Sequence, residues 1–589
     1  MSLRITCTRL VFAIAALFIV VPGASALELE ASPSVPSEVA RLIPEDAVVF
    51  IYTASTTELT KSLSTLAASV DPQYAGMVAF MGPQAMLSQT VRTKAKVLTD
   101  QPAAIAVAPG KTLEDFPIVT YIFAVEGASS ETVKPKSQGD TLIFLEGTNW
   151  LATTNGPRYE PRGASQAPSS LTTNMLPGIA SLSFDQAALA RTHGAEMETQ
   201  VTAALKAPDS PLPYIVGGES AKTIVDAISR WNFALGMKDS QVDVLLQYMA
   251  NNPSWAVNAE NDLSPLSNRL AGKHPMKMVI SKQIIKWYMG LVDAVMKSVV
   301  AGDKSPGGMA KVTELLDDAI KIVDEMELGA GQSIGFGEKG MDLVQVFKVK
   351  DRDTAFSLFD DYVAKVNASK LGFEVERMRV LVGGETARAF KVKFNQEEFN
   401  KAFPGLASGM EGGPNMSDIM GLYGATDGFI FRIISNENWM AVVSGAENLG
   451  RTRHALAQPS KAQALKDMID SITNGNIAMG MAMDYRAFMV GMMNSAESMK
   501  DSALAQSMGG VELKPGPPAM LDMAVSAQGE ATLLSVHADV GRIAKLFMEM
   551  NEASLKAARE KAEKAHEEQH DQGNEHGHGS DGKKDSDGS

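Results

Sequence analysis

Residues Leu142–Asn155 read LIFLEGTNWLATTN, and residues Phe429–Gly445 read FIFRIISNENWMAVVSG. In both stretches Asn-Trp-apolar-Ala follows a polar turn between two apolar runs, which is the pattern of a β-hairpin. A second pair of similar segments comes after them, Leu176–Arg191 and Asn474–Gly491. Because the two pairs have the same order and approximate spacing, the sequence predicts an internal duplication.

The second pair of segments also predicts where strands end and helices begin. Each segment alternates apolar and polar or small residues with period 2, as a strand does. Asp185 in the first segment and Asp484 in the second then stand where an N-cap would start a helix.

Further hairpins and helices follow from the same patterns. Apolar runs on either side of a short turn predict hairpins, at Trp231–Tyr248, Gln332–Lys350, Phe373–Phe394 and Leu521–Asp539. Apolar residues near i, i+3, i+4 and i+7 predict helices, at Thr57–Val70, Ala187–Leu205, Ser220–Ile228, Gln283–Val300, Lys311–Met326, Thr354–Val366, Glu397–Phe403 and Ile543–Glu552.

These elements predict an α+β fold of two related halves, in which antiparallel β-hairpins carry helices on one face. We place the first half at 27–265 and the second at 266–555, with the boundary in the Pro- and Asn-containing stretch Asn251–Pro275. A charged tail, 556–589, follows, and we expect it to be disordered after Gly573. Two such halves could enclose a ligand-binding cleft.

The N-terminus has the pattern of a signal peptide. Arg4 and Arg9 precede the apolar run Leu10–Val21, and small residues lead to a cleavage site after Ala26. Cleavage would remove Cys7, the single cysteine of the chain. No later segment is long and apolar enough to span a membrane. We therefore expect a bacterial protein, periplasmic or secreted, without a transmembrane span in its mature chain.

Composition narrows the range of partners. Of the 589 residues, 45% are hydrophobic and 21% charged, with a formal net charge of −15. This is the composition of a globular protein. Its acidic balance argues against nucleic acid and anionic lipid as partners, because binding them requires a basic surface.

The tail contains a possible metal-binding sequence. His566, His570, His576 and His578 are four of the eight histidines, and this clustering suggests a flexible, weak chelator of zinc, nickel or copper. An incidental polar tail is the plainer interpretation. His566–His570 also matches H-E-x-x-H, but polar flanks leave no apolar helix back that could hold a catalytic zinc.

Other motifs have structural interpretations. Gly335–Gly340 matches G-x-G-x-x-G, yet a strand follows it, so a hairpin is favoured over a nucleotide site. The alternating Met479, Met481 and Met483 are better explained as adaptable core than as a copper site. The sequence shows no nucleophile elbow, Walker loop or EF-hand. No histidine outside the tail has a local arrangement that suggests acid–base chemistry.

The start of the predicted mature domain resembles a known but functionally uncharacterised group. In Leu42–Leu66, LIPEDAVVFIYTASTTELTKSLSTL, a Pro-x-Asp-Ala step leads into an apolar strand and a Ser/Thr-capped helix. Together with the Asn-Trp hairpins, it resembles uncharacterised secreted bacterial proteins of the domain-of-unknown-function type, which have repeated strand/hairpin–helix units. The resemblance implies secretion and repeated α+β units, and no activity.

These observations favour a noncatalytic extracytoplasmic binding or structural protein, whose partner is an unidentified protein or small molecule. They identify no catalytic or cofactor-binding residue. One alternative is a secreted hydrolase whose catalytic residues are dispersed along the chain, since folding can assemble a carboxylate pair that sequence does not show. A second alternative is a periplasmic metal buffer that uses the histidines of the tail.

Overall fold

A computed structural model describes residues 34–575, with gaps at 164–168, 174, 207–218, 253–255, 258–261, 271–273, 302–306, 338–339, 383–384, 404–428, 445–447, 460–476, 498–512, 514–515 and 529. The fold is of the α+β class, as the sequence predicts. Within the described part of the chain, no helix is both long enough and apolar enough to cross a membrane.

Twenty strands are described, ten in each half. In chain order, β1–β20 are Val49–Thr53, Val91–Thr93, Ala103–Ala108, Ile118–Ala124, Val133–Pro135, Thr141–Phe144, Trp150–Thr154, Ala180–Asp185, Ile228–Lys238, Gln241–Ala250, Met276–Ser281, Met326–Gly337, Gly340–Val349, Phe373–Val382, Glu385–Phe394, Phe429–Asn436, Trp439–Val443, Ile477–Asp484, Met520–Gln528 and Ala531–Asp539.

The helices follow or precede these strands. In chain order, α1–α14 are Ser37–Arg41, Thr56–Val70, Pro72–Met81, Pro83–Ser88, Gln186–Lys206, Ala221–Asp226, Ser264–Ser267, Lys282–Ala301, Gly307–Glu325, Arg352–Ser369, Gln396–Ala402, Asn448–Ala457, Tyr485–Glu497 and Val540–Glu575. A short 3₁₀ turn spans Ser170–Thr172.

One antiparallel sheet of 18 strands runs through both halves. Its strand order is β6-β7-β4-β3-β1-β8-β9-β10-β20-β19-β18-β11-β12-β13-β17-β16-β15-β14. Strands β2 and β5 form a separate two-stranded ribbon. We call the central β10–β20 pair the seam, since it joins the two halves.

The two halves have the same strand order when each is followed outward from the seam. In the first half the order from the seam is β9, β8, β1, β3, β4, β7 and β6, and in the second it is β19, β18, β11, β12, β13, β17 and β16. The second half then continues with β15 and β14. Trp150 pairs with Ala124 at the end of β4, and Trp439 pairs with Lys348 at the corresponding place in β13. The two Asn-Trp motifs therefore occupy equivalent positions, as a duplication would require. The duplication itself stays a prediction.

The predicted aspartate caps lie in equivalent positions as well. The Asp185 carboxylate accepts a hydrogen bond from the Ala188 N–H at 2.7 Å, and Asp484 accepts one from the Ala487 N–H at 3.1 Å. Both thus satisfy an otherwise unpaired N–H in the first turn of a helix. Asp539 makes the same bond to the Arg542 N–H, at 3.1 Å, where α14 begins.

The long helices cover one face of the sheet. Helix α14 contacts α2 and α13, while α8 contacts α9, β11 and β12. The opposite face is covered by short segments, which are α1 in the first half and α7 and α12 in the second. That face buries the core cluster around Phe50 and Ile122 in the first half, and the cluster around Val344 and Val443 in the second.

The packing of α7 shows where the second half begins. Leu263, Leu266 and Leu270 are buried in one core cluster with Val279 on β11 and Val344 on β13, two strands of the second half. In the first half, Val39 within α1 and Leu42 directly after it pack into the core in the same way. The sequence-based boundary between 265 and 266 passes through α7, whereas the packing puts all of α7 with the second half.

Candidate functional site

A cavity of about 560 Å³ lies where β4 begins and β7 ends in the first half. This volume is within the range of small-molecule sites. Its walls are the turn before β1 and a segment after β7, which we call the strap, residues 157–163. The lining residues are Pro44, Glu45, Asp46, Ile118, Thr120, Thr154, Pro157, Tyr159, Glu160, Pro161, Arg162 and Gly163.

Hydrogen bonds fix the strap to the chain between α1 and β1. The Tyr159 hydroxyl donates to the Leu42 carbonyl at 2.5 Å. The Arg162 N–H donates to the Arg41 carbonyl at 2.9 Å, and Arg41 Nε donates back to the Arg162 carbonyl, also at 2.9 Å. Burial, reinforced by the negative charge of Asp46, raises the pKa of Tyr159. Its hydroxyl therefore stays protonated and available as a donor.

The base of the cavity is polar but rigid. Thr120 and Thr154 are 0% and 2% exposed, and the Thr120 hydroxyl donates to Thr154 Oγ1 at 3.1 Å. Thr154 Oγ1 also accepts from the Gly156 N–H at 3.1 Å. Such a pair gives a fixed polar surface at the edge of an otherwise apolar core.

The charged groups around the cavity are mainly acidic. Glu45, Asp46 and Glu160 contribute three carboxylates, and Arg162 contributes one guanidinium. Among the residues that the structure describes, the buried Arg162 Nε has no hydrogen-bond partner. Among the described residues that line the cavity there is no histidine, the side chain most often used for acid–base catalysis near neutral pH.

A histidine network lies elsewhere, on the corresponding side of the second half. His274 Nδ1 is 2.8 Å from Ser333 Oγ, and His274 Nε2 is 3.2 Å from Asp342 Oδ2. Because a carboxylate only accepts, we assign the proton on Nε2 to the bond with Asp342. Asn448 Nδ2 also donates to Asp342.

This network has the residue types of a nucleophilic triad but not its access. Ser333 is 0% exposed and Asn448 is 2% exposed. A nucleophile must meet a substrate atom directly, which a completely buried hydroxyl cannot do without opening of the core. The network is better explained as a satisfied polar cluster within the core.

A second histidine lies between two carboxylates at the seam. Asp243 on β10, His537 on β20 and Asp522 on β19 are directly opposite one another across the three strands. His537 Nδ1 is 2.9 Å from Asp243 Oδ1. Burial raises the pKa of Asp522 to about 6, although the His537 charge and the Met483 backbone N–H act in the opposite direction.

A third histidine with a carboxylate partner belongs to helix α5. His193 is 4% exposed, its Nδ1 is 3.4 Å from Glu196 Oε1, and the helix is kinked at this residue. A backbone hydrogen bond from Leu113 lowers the pKa of Glu196, and His193 adds to this effect. The pair ties α5 to the loop that contains Leu113, since the Glu196 carboxylate accepts the Leu113 N–H at 2.7 Å.

The tail histidines are only partly within the described chain. The backbone of His566 and His570 belongs to α14, but their side-chain positions are not described. His576 and His578 lie outside the described residues altogether. Within the described part, no three His, Cys, Asp or Glu side chains are grouped so that they could hold a metal ion. Metal binding by the tail stays a prediction.

The motifs that suggested nucleotide or copper binding have structural roles. Gly337 pairs with Gly340 across the β12–β13 hairpin, as the strand after the glycines predicts. Of the three alternating methionines on β18, Met483 is buried in an apolar cluster with Leu521 and Ala538, and Met481 is partly buried against the same cluster. Met479 is partly buried as well.

Sequence patterns did not reveal the polar groups that the fold brings together. His274 and Asp342 are 68 residues apart, and Asp243 and His537 are 294 apart. The hairpins β9–β10 and β19–β20 are predictable, but nothing local indicates that β10 pairs with β20. The strap falls in a Pro- and Gly-rich stretch whose composition predicts a surface loop and gives no sign of a cavity beneath it.

Comparisons with known proteins add no function. No family model matches the chain, and neither does any curated protein. Among solved structures, a chain titled "Structure of crystal form III of TP0453" aligns with 8% identity and a TM-score of 0.22, covering 48% of this chain and 97% of that chain. A likeness at this level does not support a shared fold or function.

Proposed function

We propose that the protein is a noncatalytic extracytoplasmic binding protein, and that its ligand is a small organic cation held in the cavity beneath the strap. The observation that supports this most directly is the cavity itself. It has the volume of a small-molecule site, and its described lining has three carboxylates against one guanidinium and contains no histidine. By contrast, His537 is buried and His274 is partly buried, and both belong to polar clusters that do not line this cavity.

The arrangement of carboxylates favours an organic cation over a metal ion. Glu45, Asp46 and Glu160 line one cavity, yet among described residues no three acidic or histidine side chains converge closely enough for metal coordination. An amine with a carbon chain can meet carboxylates at separate points, while Ile118 and Pro161 contact its apolar part. The net charge of −15 also attracts cations toward the protein.

Thermal shift of the full chain tests this proposal, with putrescine, spermidine and tetraethylammonium as probes and glutarate as an anionic comparison. We expect the cations to raise the melting temperature and glutarate to have no effect. Glu160→Gln and Asp46→Asn should each weaken cation binding by roughly tenfold or more, as the loss of a charge-assisted contact does. Glu131→Gln, at an exposed position outside the cavity, is the matched control. Equal shifts in all variants would contradict the proposal.

The secreted hydrolase is the second candidate because His274 contacts both Ser333 and Asp342. Complete burial of Ser333 opposes it. Hydrolysis of activated esters by the full chain, lost in Ser333→Ala without loss of stability, would favour this alternative over binding.

A further inference from the structure

Helices α3 and α4 form an uncharged surface segment. Between Asp71 and Arg92 the chain contains no Asp, Glu, Lys or Arg, although 21% of the whole chain is charged. Helix α3, PQYAGMVAFM, is apolar on every side, and none of its residues is buried. A helix of this kind is normally enclosed by protein or lipid. We therefore expect another molecule to cover the surface of α3.

Large apolar side chains dominate this surface, which we call the α3 patch. Tyr74 is 50% exposed, Met77 57%, Phe80 77%, Met81 63% and Met86 60%. Because such side chains each present roughly 150–250 Å² when fully exposed, the patch offers roughly 600 Å² of apolar surface. This is at the upper end of what a monomer usually exposes, and it approaches the roughly 800 Å² that one partner contributes to a standard interface.

The patch is held in place by the protein beneath it. The Asp71 carboxylate caps α3 by accepting from the Gln73 N–H at 2.8 Å. At the start of α4, the Gln84 N–H donates to Thr60 Oγ1 and Gln84 Nε2 donates to Thr99 Oγ1, both at 3.1 Å. Gly82, between the helices, has no room for a side chain, because a Cβ would lie 2.3 Å from the Val78 carbonyl oxygen. A preformed patch lowers the entropic cost of association.

The composition of the patch favours protein over lipid as its partner. Absence of charge together with Tyr, Phe and Met is typical of the core of a protein interface. A helix that lies on a membrane surface usually carries Lys or Arg on its polar side, and this segment has neither.

We infer that the α3 patch binds the same patch of a second copy of this chain, forming a symmetric dimer. Two patches together bury roughly 1,200 Å², the lower limit for a stable interface. With a charge of −15 each, two copies repel, and contact through a charge-free surface keeps that repulsion lowest. Gly76 has open space around its Cα, so a second helix can approach it closely. A twofold axis places identical surfaces together and closes the assembly at two copies.

Sedimentation velocity of the full chain, over a range of concentrations and salt, tests this inference. We expect a concentration-dependent dimer that strengthens with added NaCl, since salt screens repulsion between the copies. Phe80→Glu removes an apolar anchor and adds a charge on both sides of the axis, so it should weaken dimerisation by roughly 100-fold or more. Phe116→Glu is the matched control, because Phe116 is 88% exposed outside the patch. Circular dichroism checks that both variants are folded.

Three results would overturn the inference. One is a wild-type chain that stays monomeric at all concentrations. Another is equal weakening by Phe80→Glu and Phe116→Glu. The third is unchanged self-association of Phe80→Glu with loss of binding to phosphatidylcholine vesicles, which would assign the patch to lipid. Cation binding in the cavity is measured separately in both variants, so failure of the dimer and failure of the proposed function are distinguishable.

Discussion

Asp522 on β19 lies directly opposite His537 on β20, at the centre of the 18-stranded sheet. Asp522 Oδ1 is buried and has no hydrogen-bond partner among the described residues. On the other side of His537, Asp243 Oδ1 is 2.9 Å from the His537 Nδ1 atom. Of the two carboxylates beside His537, Asp243 thus has a hydrogen bond to the imidazole, whereas Asp522 keeps one buried oxygen without a partner among the described residues. Burial accordingly raises the pKa of Asp522 from 3.8 to about 6.

This raised pKa predicts a loss of stability as pH increases. The native state retains the Asp522 proton up to about pH 6, while the unfolded chain loses it near pH 3.8. Stability from this group is thus present below pH 3.8 and lost between pH 3.8 and 6, by at most about 3 kcal/mol. Asp522→Asn should raise the free energy of unfolding in urea at pH 8 and leave it nearly unchanged at pH 3.5. Asp353→Asn, at a side chain 82% exposed, is the control. An equal effect of Asp522→Asn on the free energy of unfolding at pH 8 and pH 3.5 would contradict the prediction.

The His274 network predicts a structural rather than catalytic phenotype. In His274→Ala, the buried Asp342 carboxylate loses the Nε2–H donor, so we expect the free energy of unfolding to fall by about 2–3 kcal/mol. His454→Ala, at an exposed position on α12, should change it by less than about 0.5 kcal/mol. Urea denaturation at pH 7 measures both. A His274→Ala protein as stable as the wild type would show that the network contributes little to stability.

The continuous sheet predicts that the two halves unfold together. Leu42 in the first half and Leu266 in the second are each 0% exposed. Leu42→Ala and Leu266→Ala should each cost about 2–5 kcal/mol, and each should shift the same single transition. Calorimetry and tryptophan fluorescence are the measurements. Two separate transitions, each moved by only one of the substitutions, would mean that the seam does not couple the halves.

We predict that removal of the tail abolishes metal binding and leaves the stability of the protein unchanged. A chain that ends at residue 563 retains most of α14 but lacks all four tail histidines. We expect calorimetric titration with Zn²⁺ or Ni²⁺ to show weak binding by the intact chain and none by the shortened one, with equal melting temperatures. His454→Ala in the intact chain is the histidine control. Equal binding by intact and shortened chains would place the metal elsewhere.

The elements that could be predicted from the sequence are those whose signal is local. Trp150 and Trp439 follow polar turns, and Asp185 and Asp484 stand at the change from period 2 to helical spacing, so hairpins and caps could be located. Helix α3 was missed because an apolar residue on every side leaves no periodicity. Proline and asparagine around α7 predict the boundary between the halves in this stretch, and they give no sign that Leu263 and Leu266 pack into a core. Burial there depends on the partner strands, which the local pattern does not contain.

Local sequence patterns could not predict the candidate site for a similar reason. Glu45 and Glu160 approach the same cavity because β1 and β7 are separated in the sheet only by β3 and β4. That order is a property of strand pairing across the whole first half. A single sequence predicts the strands but does not show which strands pair with one another.

The seam also has a consequence for the nascent chain. Strand β10 is completed long before β20 exists, since Asp243 precedes His537 by 294 residues. Throughout that interval one edge of β10 lacks its final neighbour, and an open strand edge is a template for pairing with another molecule. We expect the first half to be most prone to aggregate while the second is still being made. Among the described strands, the last to be synthesised, β20, is the one that pairs with this edge.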